Sequence, residues 1–484
     1  MITRDSVRSL CVRELGLPDS QREQALLPLA YQCTVGVAPP RGMMKRMALL
    51  LGLLFAMSVR GLLRRAPRMD SATTSLQGYS NFVRTNPKSD KVSVQKFHHV
   101  EFYCGDARNT YSRFLVGLGM EMLAKSDQST GNSAHCSYLL KSGDMQMLFT
   151  AAYPAVVNGT AASGAALPGF CPERLQSFCI KHGLGVRAVA VEVEDVEASF
   201  RTVVQNGGQA VLTPLTLADK HGLGEVDLAE VALYGDVVLR FVDSRRFRGD
   251  FLPNFEAAKQ KRRASTFGLK RFDHIVGNLW SLQPTMDRIK GMTGFHDFAE
   301  FVADDVGTVD SGLNSVVLAN NNEMVLLPLN EPTFGTKRKS QIQTYLEQNN
   351  GEGVQHMALF TADIFDTMTK MRQVSDLGGF EFMDPPGSEY YRNVRKRLGD
   401  ALTEEQYQRV EELGLLADKD DQGVLLQVFT KPVGDRATLF LEVIQRIGCL
   451  LDGAQKPGCG GFGKGNFKDL FKSIEDYEAK LKLN

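Results

Sequence analysis

The amino-acid sequence predicts an α+β protein: two half-open β-barrel domains built from paired βαβββ modules, followed by a C-terminal lid helix. From Val94 onward, the apolar alternation typical of strands and the periodicity typical of helices follow one another regularly. The later half of this region also repeats the earlier half, and 484 residues are too many for a single hydrophobic core. These observations favour two similar domains preceded by an extension.

Residues 1–92 differ in composition from the rest and are assigned to a targeting or disordered extension. Their apolar run, Met47–Val59, is flanked by basic residues and is too short to span a bilayer comfortably, but it fits the core of a signal peptide. The stretch upstream of Met43 is unusual for a secretory signal, so a targeting sequence, a membrane anchor and a mis-assigned start all stay open. We expect a soluble intracellular catalytic core, in the cytoplasm or in a plastid, with membrane contact only through 47–59.

The first domain is assigned to residues 93–246 and is predicted to hold two βαβββ modules. The expected elements are strand Phe97–Cys104, helix Ala107–Leu118, a hairpin of Ala134–Leu140 with Met145–Thr150, strand Ala188–Val193, helix Asp195–Gln205, and paired strands Val226–Leu233 and Val237–Val242. A linker, 247–270, follows, and its basic run Lys259–Arg263 is more typical of a solvated connector than of a binding patch.

The second domain, 271–484, follows the same plan. Its expected elements are strand Phe272–Gly277, helix Gln283–Met292, a hairpin of Ser315–Leu318 with Glu323–Leu327, strand His356–Thr361, helix Ile364–Val374, and strands Gly423–Phe429 and Thr438–Ile444. An insertion from Pro385 to about Asp420 has no counterpart in the first domain and carries two helical patterns, 389–398 and 403–414.

Three residues with metal-binding side chains stand inside strand-like apolar segments of the second domain: His274, His356 and Glu442. Two imidazoles and one carboxylate are the ligand set of the facial triad, which holds Fe(II) and leaves positions open for substrate and O₂. A single histidine on a strand is more often a hydrogen-bonded core residue, and a lone glutamate can pair with an arginine. Three such residues on repeat-equivalent strands favour the metal site.

The internal repeat sharpens this interpretation, because the first domain retains only one of the three side chains. His99 aligns with His274, but Ala188 stands where His356 stands, and Arg240 stands where Glu442 stands. One imidazole beside a guanidinium is not a site for a divalent ion. The first domain is therefore predicted to be scaffold and the second to be catalytic.

Composition excludes several other function classes. Lys+Arg and Asp+Glu number 56 each, so the formal net charge is zero and a nucleic-acid or acidic-polymer partner is not expected. The eight cysteines form no CxxC pair and show no other metal-binding spacing.

The C-terminal tail begins with a glycine-rich hinge, Gly458–Gly465. No Walker motif is completed there, so a phosphate cradle is not expected. A helix follows that carries Phe467, Leu470, Phe471, Ile474 and Tyr477 on one face. The helix either packs on the core or acts as a lid; we favour the lid, with Phe467 closing over a pocket.

From about Lys96 to Leu483 the chain resembles the 4-hydroxyphenylpyruvate dioxygenases, a family of the vicinal-oxygen-chelate superfamily. The resemblance is carried by the segments Phe272–Asn278, Leu327–Pro332, Lys339–Gln343, Gly353–His356, Leu426–Lys431, Phe440–Arg446 and Gly460–Phe467. In the first domain it is weaker and depends on Val100–Asp106 and Gly185–Asp195.

The resemblance implies one Fe(II) per subunit, bound by His274, His356 and Glu442, and a substrate pocket closed by a gate. The implied substrate-binding residues are Ser315, Asn330, Gln341, Gln355, Gln427, Phe429, Phe440 and Phe467, and the implied gate residues are Phe462, Gly463, Asn466 and Phe471. The implied reaction converts 4-hydroxyphenylpyruvate and O₂ to homogentisate and CO₂, in tyrosine and phenylalanine catabolism and in the supply of quinone and tocopherol precursors. A homodimer or tetramer is the implied assembly.

Three other functions remain to be distinguished. A hydroxymandelate synthase shares fold, triad and substrate but hydroxylates the benzylic carbon. An extradiol ring-cleaving dioxygenase is disfavoured by the lid helix and the glutamines. A metal-free binding protein on the same scaffold is disfavoured by the intact triad.

Overall fold

The computed structural model describes residues 76–157, 160–161, 163–258, 266–306, 312–448, 450–451 and 454–483. The apolar run Met47–Val59 and the basic run Lys259–Arg263 lie outside these residues. Within the described part of the chain, no helix combines the length and the apolar character that crossing a membrane requires.

The earlier half contains three α-helices and eleven strands in the described residues. They are β1 (Val94–Tyr103), α1 (Ala107–Leu118), β2 (Glu121–Ser126), β3 (His135–Ser142), β4 (Met145–Ala152), β5 (Val156–Val157), β6 (Thr160–Ala161), α2 (Pro172–His182), β7 (Gly185–Val193), α3 (Val196–Gln205), β8 (Ala210–Ala218), β9 (Glu225–Tyr234), β10 (Val237–Asp243) and β11 (Glu256–Ala257).

The later half contains seven α-helices and ten strands in the described residues. They are β12 (Leu269–Asn278), α4 (Leu282–Thr293), β13 (His296–Phe301), α5 (Ala303–Val306), β14 (Leu313–Ala319), β15 (Leu326–Pro332), α6 (Gln341–Gln348), β16 (Gly353–Thr361), α7 (Ile364–Gln373), α8 (Ser388–Leu398), α9 (Glu404–Glu412), β17 (Leu416–Lys419), β18 (Gly423–Phe429), β19 (Phe440–Gly448), β20 (Leu450–Leu451), β21 (Ala454–Gln455) and α10 (Phe467–Lys480). Short 3₁₀ turns are formed by Gln128–Thr130, Ser375–Leu377, Gly399–Ala401 and Lys464–Asn466.

Each half forms one large mixed sheet and one two-stranded sheet, and the two large sheets have the same topology apart from the additional edge strand β11. The first has the order β11-β2-β3-β4-β1-β7-β10-β9-β8, and the second has the order β13-β14-β15-β12-β16-β19-β18-β17. In each, the first strands of the two modules pair antiparallel at the centre, β1 with β7 and β12 with β16. The predicted α+β fold with paired βαβββ modules is therefore confirmed.

The outermost module strands, β2, β8, β13 and β17, were not predicted from the sequence. They lie at or near the sheet edges, and two of them bury few side chains: β2 buries two of its six residues, and in β8 no residue is fully buried. Without a buried face, the apolar alternation that reveals a strand is weak. The bounds of the predicted strand Glu323–Leu327 are wrong: Glu323 adopts a left-handed turn conformation with φ 61°, and β15 begins only at Leu326 and continues to Pro332.

Three of the module helices have an aspartate as their N-terminal cap, and each of these helices follows a central strand. The side chains of Asp106, Asp195 and Asp363 accept hydrogen bonds from the backbone N–H groups of Asn109, Ala198 and Asp366, at the starts of α1, α3 and α7. A side-chain cap of this kind stabilises a helix by about 1 kcal/mol. The repeated cap is a local signature of the repeated module.

The main apolar cluster extends through both halves, and both central strands contribute to it. Four smaller clusters accompany it, so the described residues have several apolar clusters but no separate main core for each half. The rings of Phe97 on β1 and Phe272 on β12 meet edge to face with centroids 6.1 Å apart. Residues 76–92, which the sequence analysis assigned to the extension, pack on the later half, where Tyr79 stacks on Phe301. The boundaries of the two domains stay predictions.

Candidate metal centre

The three candidate ligands lie on three adjacent strands at the centre of the second sheet. Ala358 of β16 pairs with His274 of β12 on one side and with Glu442 of β19 on the other. His356 precedes Ala358 by two residues and therefore points to the same face of β16. The register of three neighbouring strands thus brings together residues that are up to 168 positions apart in the chain.

The ligand atoms converge closely. The Nε2 atom of His274 lies 3.1 Å from Oε2 of Glu442, and the Nε2 atom of His356 lies 3.4 Å from the same oxygen. All three ligand atoms fall within 4.8 Å of one another, and within the described residues no other such group of His, Cys, Asp or Glu is found. Glu442 is 2% exposed.

A β-bulge precedes each histidine and supplies the partner of its second ring nitrogen. The ladder between β12 and β16 skips Asp273, whose Oδ2 lies 2.9 Å from Nδ1 of His274. The same ladder skips Gln355, whose Oε1 lies 2.9 Å from Nδ1 of His356. A bulge redirects side chains that would otherwise point to opposite faces. Each Nδ1–H therefore donates to an oxygen, and each Nε2 presents a lone pair to the centre.

The charges of the centre are set by burial and by these neighbours. Burial opposes ionisation of Glu442, but His274 and His356 outweigh it and lower the pKa of the carboxyl. Burial likewise opposes the charged form of His274, yet Glu442 and Asp273 raise its pKa. Burial lowers the pKa of His356, and Glu442 offsets this only in part. The site therefore keeps an ionised carboxylate between two imidazoles.

A divalent metal fits this donor set. Two neutral imidazole nitrogens and one carboxylate oxygen are the protein ligands of the facial triad, and the oxygens on both Nδ1 atoms are the supports that metal-binding histidines require. A buried carboxylate also needs a compensating charge, which a dication supplies.

Comparison with known proteins agrees with the geometry. The chain is 58% identical over 417 residues to 4-hydroxyphenylpyruvate dioxygenase of Daucus carota, covering 85% of this chain and 93% of that protein. It is 55% identical over 421 residues to the enzyme of the same name from Arabidopsis thaliana, covering 84% of this chain and 93% of that protein. The chain belongs to the 4-hydroxyphenylpyruvate dioxygenase family.

Two further comparisons concern the fold and the protein-family models. A solved structure of a mutant 4-hydroxymandelate synthase from Streptomyces coelicolor superimposes with a TM-score of 0.64 at 22% identity, covering 80% of this chain and 99% of that one, which supports the fold alone. A scan of protein-family models found no match.

In this family member a cavity opens beside the triad and contains all eight predicted substrate-binding residues. Its lining includes the polar side chains of Ser315, Asn330, Gln341, Gln355 and Gln427 and the rings of Phe429, Phe440 and Phe467. The ring of Phe440 stacks on His356 with centroids 4.8 Å apart. Leu470 and Ile474, which the sequence analysis placed on the apolar face of the lid helix, also line the cavity. The apolar lining residues that it missed are Val276, Phe301, Leu313, Val317 and Pro328.

The predicted gate residues divide between the cavity and the base of the lid helix. Phe462 and Phe471 line the cavity. Gly463 adopts φ +72°, which strains other residues, and a Cβ there would lie 2.6 Å from Nε2 of Gln427 and would displace that amide. Asn466 is fully buried below the helix, where its Oδ1 accepts hydrogen bonds from Tyr390 and Arg397.

The first half replaces the metal centre with an ionic network, as the repeat alignment predicts. His99 and Arg240 both pair with Ala190 in the ladder, just as His274 and Glu442 both pair with Ala358. The guanidinium of Arg240 lies 2.9 Å from Nε2 of His99 and donates to Glu101 at 2.6 Å and to Glu230 at 2.8 Å. Although burial opposes it, these two carboxylates raise the pKa of Arg240. A fixed cation therefore stands where the later half has its carboxylate ligand.

Proposed function

We propose that this protein is an Fe(II)-dependent dioxygenase that converts 4-hydroxyphenylpyruvate and O₂ to homogentisate and CO₂. The observation that carries the proposal is the convergence of two Nε2 atoms on one Glu442 oxygen, at 3.1 and 3.4 Å, inside a cavity lined by amides and phenylalanines. The identity of 55–58% to enzymes of that name supports it independently.

The charge balance of the cavity favours an α-keto acid as the substrate. No lysine or arginine is found among the described residues that line it, and Glu442 is its one carboxylate. A substrate carboxylate therefore has no cation of the chain to pair with. Fe(II) bound by His274, His356 and Glu442 would leave one net positive charge, which the carboxylate of a keto acid neutralises.

The shape and polarity of the cavity favour a phenol ring on that keto acid. Phe429, on β18, and Phe467, at the start of the lid helix, would hold the ring, as aromatic side chains pack well against a planar ligand. The buried amides of Gln341, Gln427 and Asn330 would donate to the phenol or carboxylate oxygens without changing the charge at the metal. Gln355 would act mainly by orienting His356, since the side-chain oxygen of Gln355 accepts a hydrogen bond from Nδ1 of His356.

Bound Fe(II) supplies the oxygen chemistry: oxidative decarboxylation, ring hydroxylation and migration of the side chain to the next carbon. The residues of the chain orient the substrate and exclude water. Phe462, Phe467 and Phe471 line the cavity from the hinge and the lid helix, so movement of the lid helix would admit substrate and release product. The product belongs to tyrosine and phenylalanine catabolism and would feed quinone and tocopherol synthesis.

The decisive experiment is anaerobic reconstitution with Fe(II), followed by O₂ uptake with 4-hydroxyphenylpyruvate and identification of the product by mass spectrometry and NMR. We expect one iron per chain and homogentisate with stoichiometric CO₂. Finding 4-hydroxymandelate would assign the chain to benzylic hydroxylation instead. Absence of both iron binding and O₂ uptake would indicate a binding protein on the same scaffold. Light scattering of the same sample tests the proposed homodimer or tetramer.

A further inference from the structure

Arg446 is buried beside the metal centre but is absent from the cavity lining. Its Nε and Nη2 atoms donate to the two carboxylate oxygens of Asp273, at 3.0 and 2.7 Å. Asp273 in turn holds Nδ1 of His274 at 2.9 Å. The carboxylate of Asp273 thus links one side of the guanidinium to His274, a proposed metal ligand.

The other end of the same guanidinium holds the hinge, Gly458–Gly465. Its Nη1 atom donates to the backbone carbonyls of Cys459, at 2.5 Å, and Gly461, at 2.7 Å. The hinge residue Phe462 lies between the two sites, because its ring centroid is 5.6 Å from the guanidinium carbon and 5.1 Å from the His274 ring centroid. Arg446 therefore bridges the support of a metal ligand and the segment from which the lid helix emerges.

The repeat argues that Arg446 is not needed to build the barrel. Glu442 corresponds to Arg240 in the first half, so the position four residues on, which Arg446 occupies, corresponds to Ser244. The first half forms the same arrangement of module strands with serine at that position, and among its described residues no group that could hold a metal is found. Arginine is thus present at this position in the half that has the candidate metal centre and the hinge, and serine is present in the other half.

We propose that Arg446 is a positioning residue that couples metal binding at His274 to the closed position of the lid helix. The inference rests on the proposed function and extends it. A metal on Nε2 polarises the imidazole and strengthens the Nδ1–H bond to Asp273, which fixes the carboxylate that Arg446 grips. The fork of Arg446 then holds the two hinge carbonyls, and the lid helix closes. Because coupling between two sites is reciprocal, a closed lid also tightens metal binding.

The test is amide hydrogen exchange of Phe467–Lys480, measured by mass spectrometry on the full chain with Co(II) and after chelation. Co(II) is used because it stands in for Fe(II) without turnover, and calorimetry on the same samples gives its affinity. The decoupling variant is Arg446→Lys, which keeps a cation beside Asp273 but has one nitrogen instead of a planar fork. The matched control is Arg397→Lys: Arg397 bonds Asn466 at the base of the lid helix and pairs with Asp418, away from the metal.

In the wild type we expect Co(II) to slow exchange in the lid helix roughly tenfold. Arg446→Lys should abolish this slowing and weaken Co(II) binding by roughly tenfold while the visible Co(II) spectrum still shows ligation. Arg397→Lys should raise exchange in both states and leave the metal-dependent slowing and the affinity intact. If Arg446→Lys fails to fold, Asp273→Asn, which nearly preserves volume, should reproduce its effects.

Metal-dependent slowing that persists in Arg446→Lys or Asp273→Asn would overturn the coupling, and so would a wild type that binds Co(II) without any slowing. A wild type that does not bind Co(II) at all would refute the proposed function, and this inference with it.

Discussion

Glu442 combines deep burial with a negative charge, and together with the two imidazoles beside it this carboxylate could hold a metal ion. The carboxylate is 2% exposed, and the Nε2 atoms of His274 and His356 face the same oxygen. The Nδ1 atoms of His274 and His356 are hydrogen-bonded to Asp273 and Gln355. The Nε2 atoms are therefore held in place without a metal. At the scale of single residues, the site is thus preorganised.

Replacing Glu442 by alanine should abolish turnover and leave the fold intact. The variant loses the one anionic ligand, so we expect O₂ uptake with 4-hydroxyphenylpyruvate to fall by more than about 100-fold, beyond the loss typical of residues that only support ligands. Circular dichroism should show unchanged secondary structure. Turnover within tenfold of the wild type would rule out ligation by Glu442.

Arg240 should matter for stability and not for metal binding. Arg240→Met leaves Glu101 and Glu230 buried without their cation, which should lower the free energy of unfolding by about 3–5 kcal/mol in urea titrations. The control, Arg246→Met, removes an exposed pair with Glu225 and Asp227 and should cost at most about 1 kcal/mol. Equal losses in the two variants, or a weakened metal affinity in Arg240→Met, would contradict the scaffold role of the first half.

At the scale of elements, the lid helix α10 buries an ionisable group, Glu478. Burial, reinforced by the neighbouring Glu475, raises the pKa of Glu478 to about 7, although a hydrogen bond with Thr344 on α6 and the charges of Lys339 and Arg338 oppose the shift. The folded state therefore binds this proton more tightly than the unfolded chain does. The contribution of Glu478 to stability is present below about pH 4.5 and is lost as the pH rises through 7.

Glu478→Gln should therefore stabilise the protein in alkaline buffer and have little effect in acid. From the size of the shift, we expect the variant to exceed the wild type in unfolding free energy by at most about 3 kcal/mol at pH 8, with the difference vanishing toward pH 4.5. Urea titrations across this range give the comparison. The exposed Glu412→Gln on α9 serves as the control, and a Glu478→Gln difference that is independent of pH would refute the buried-proton account.

The elements also show what sequence patterns capture. The triad was predicted because each ligand interrupts an apolar strand, and the repeat supplied the alignment of His99, Ala188 and Arg240 with it. The bulges at Asp273 and Gln355 were not predicted, since a bulge leaves the apolar alternation nearly unchanged. The bond from Arg446 to Asp273 depends on the register of β12 and β19 through β16, which no local pattern specifies. Glycine at 463, in contrast, carried a visible signal, the run of hinge glycines.

At the scale of the whole molecule, residues 76–92 pack on the later half of the chain. The guanidinium of Arg84 lies 3.5 Å above the Phe298 ring and pairs with Glu323, while Tyr79 stacks on Phe301 at 5.2 Å. Phe301 also contacts Phe467, with centroids 5.2 Å apart. The sequence analysis assigned these residues to an extension on composition. It could not detect their contacts, because these are made with side chains more than 200 positions away in the chain.

Removing this segment should therefore destabilise the protein. A protein that begins at residue 76 is the reference. One beginning at residue 93 should lose about 2–4 kcal/mol of stability, the sum of one cation–π contact, one ring stack and one partly buried ion pair. Its KM for 4-hydroxyphenylpyruvate should also rise, because Phe301, which lines the cavity, loses its stacking partner Tyr79. Equal stability and KM in the two shortened chains would show that the segment is dispensable.

The location of iron in anaerobically reconstituted crystals, determined from anomalous scattering at the iron edge, tests the central claim most directly. We expect one site per chain, within bonding distance of Nε2 of His274, Nε2 of His356 and a carboxylate oxygen of Glu442, and no site beside His99. An iron bound elsewhere, or a triad whose side chains stay apart in iron-loaded crystals, would contradict the account.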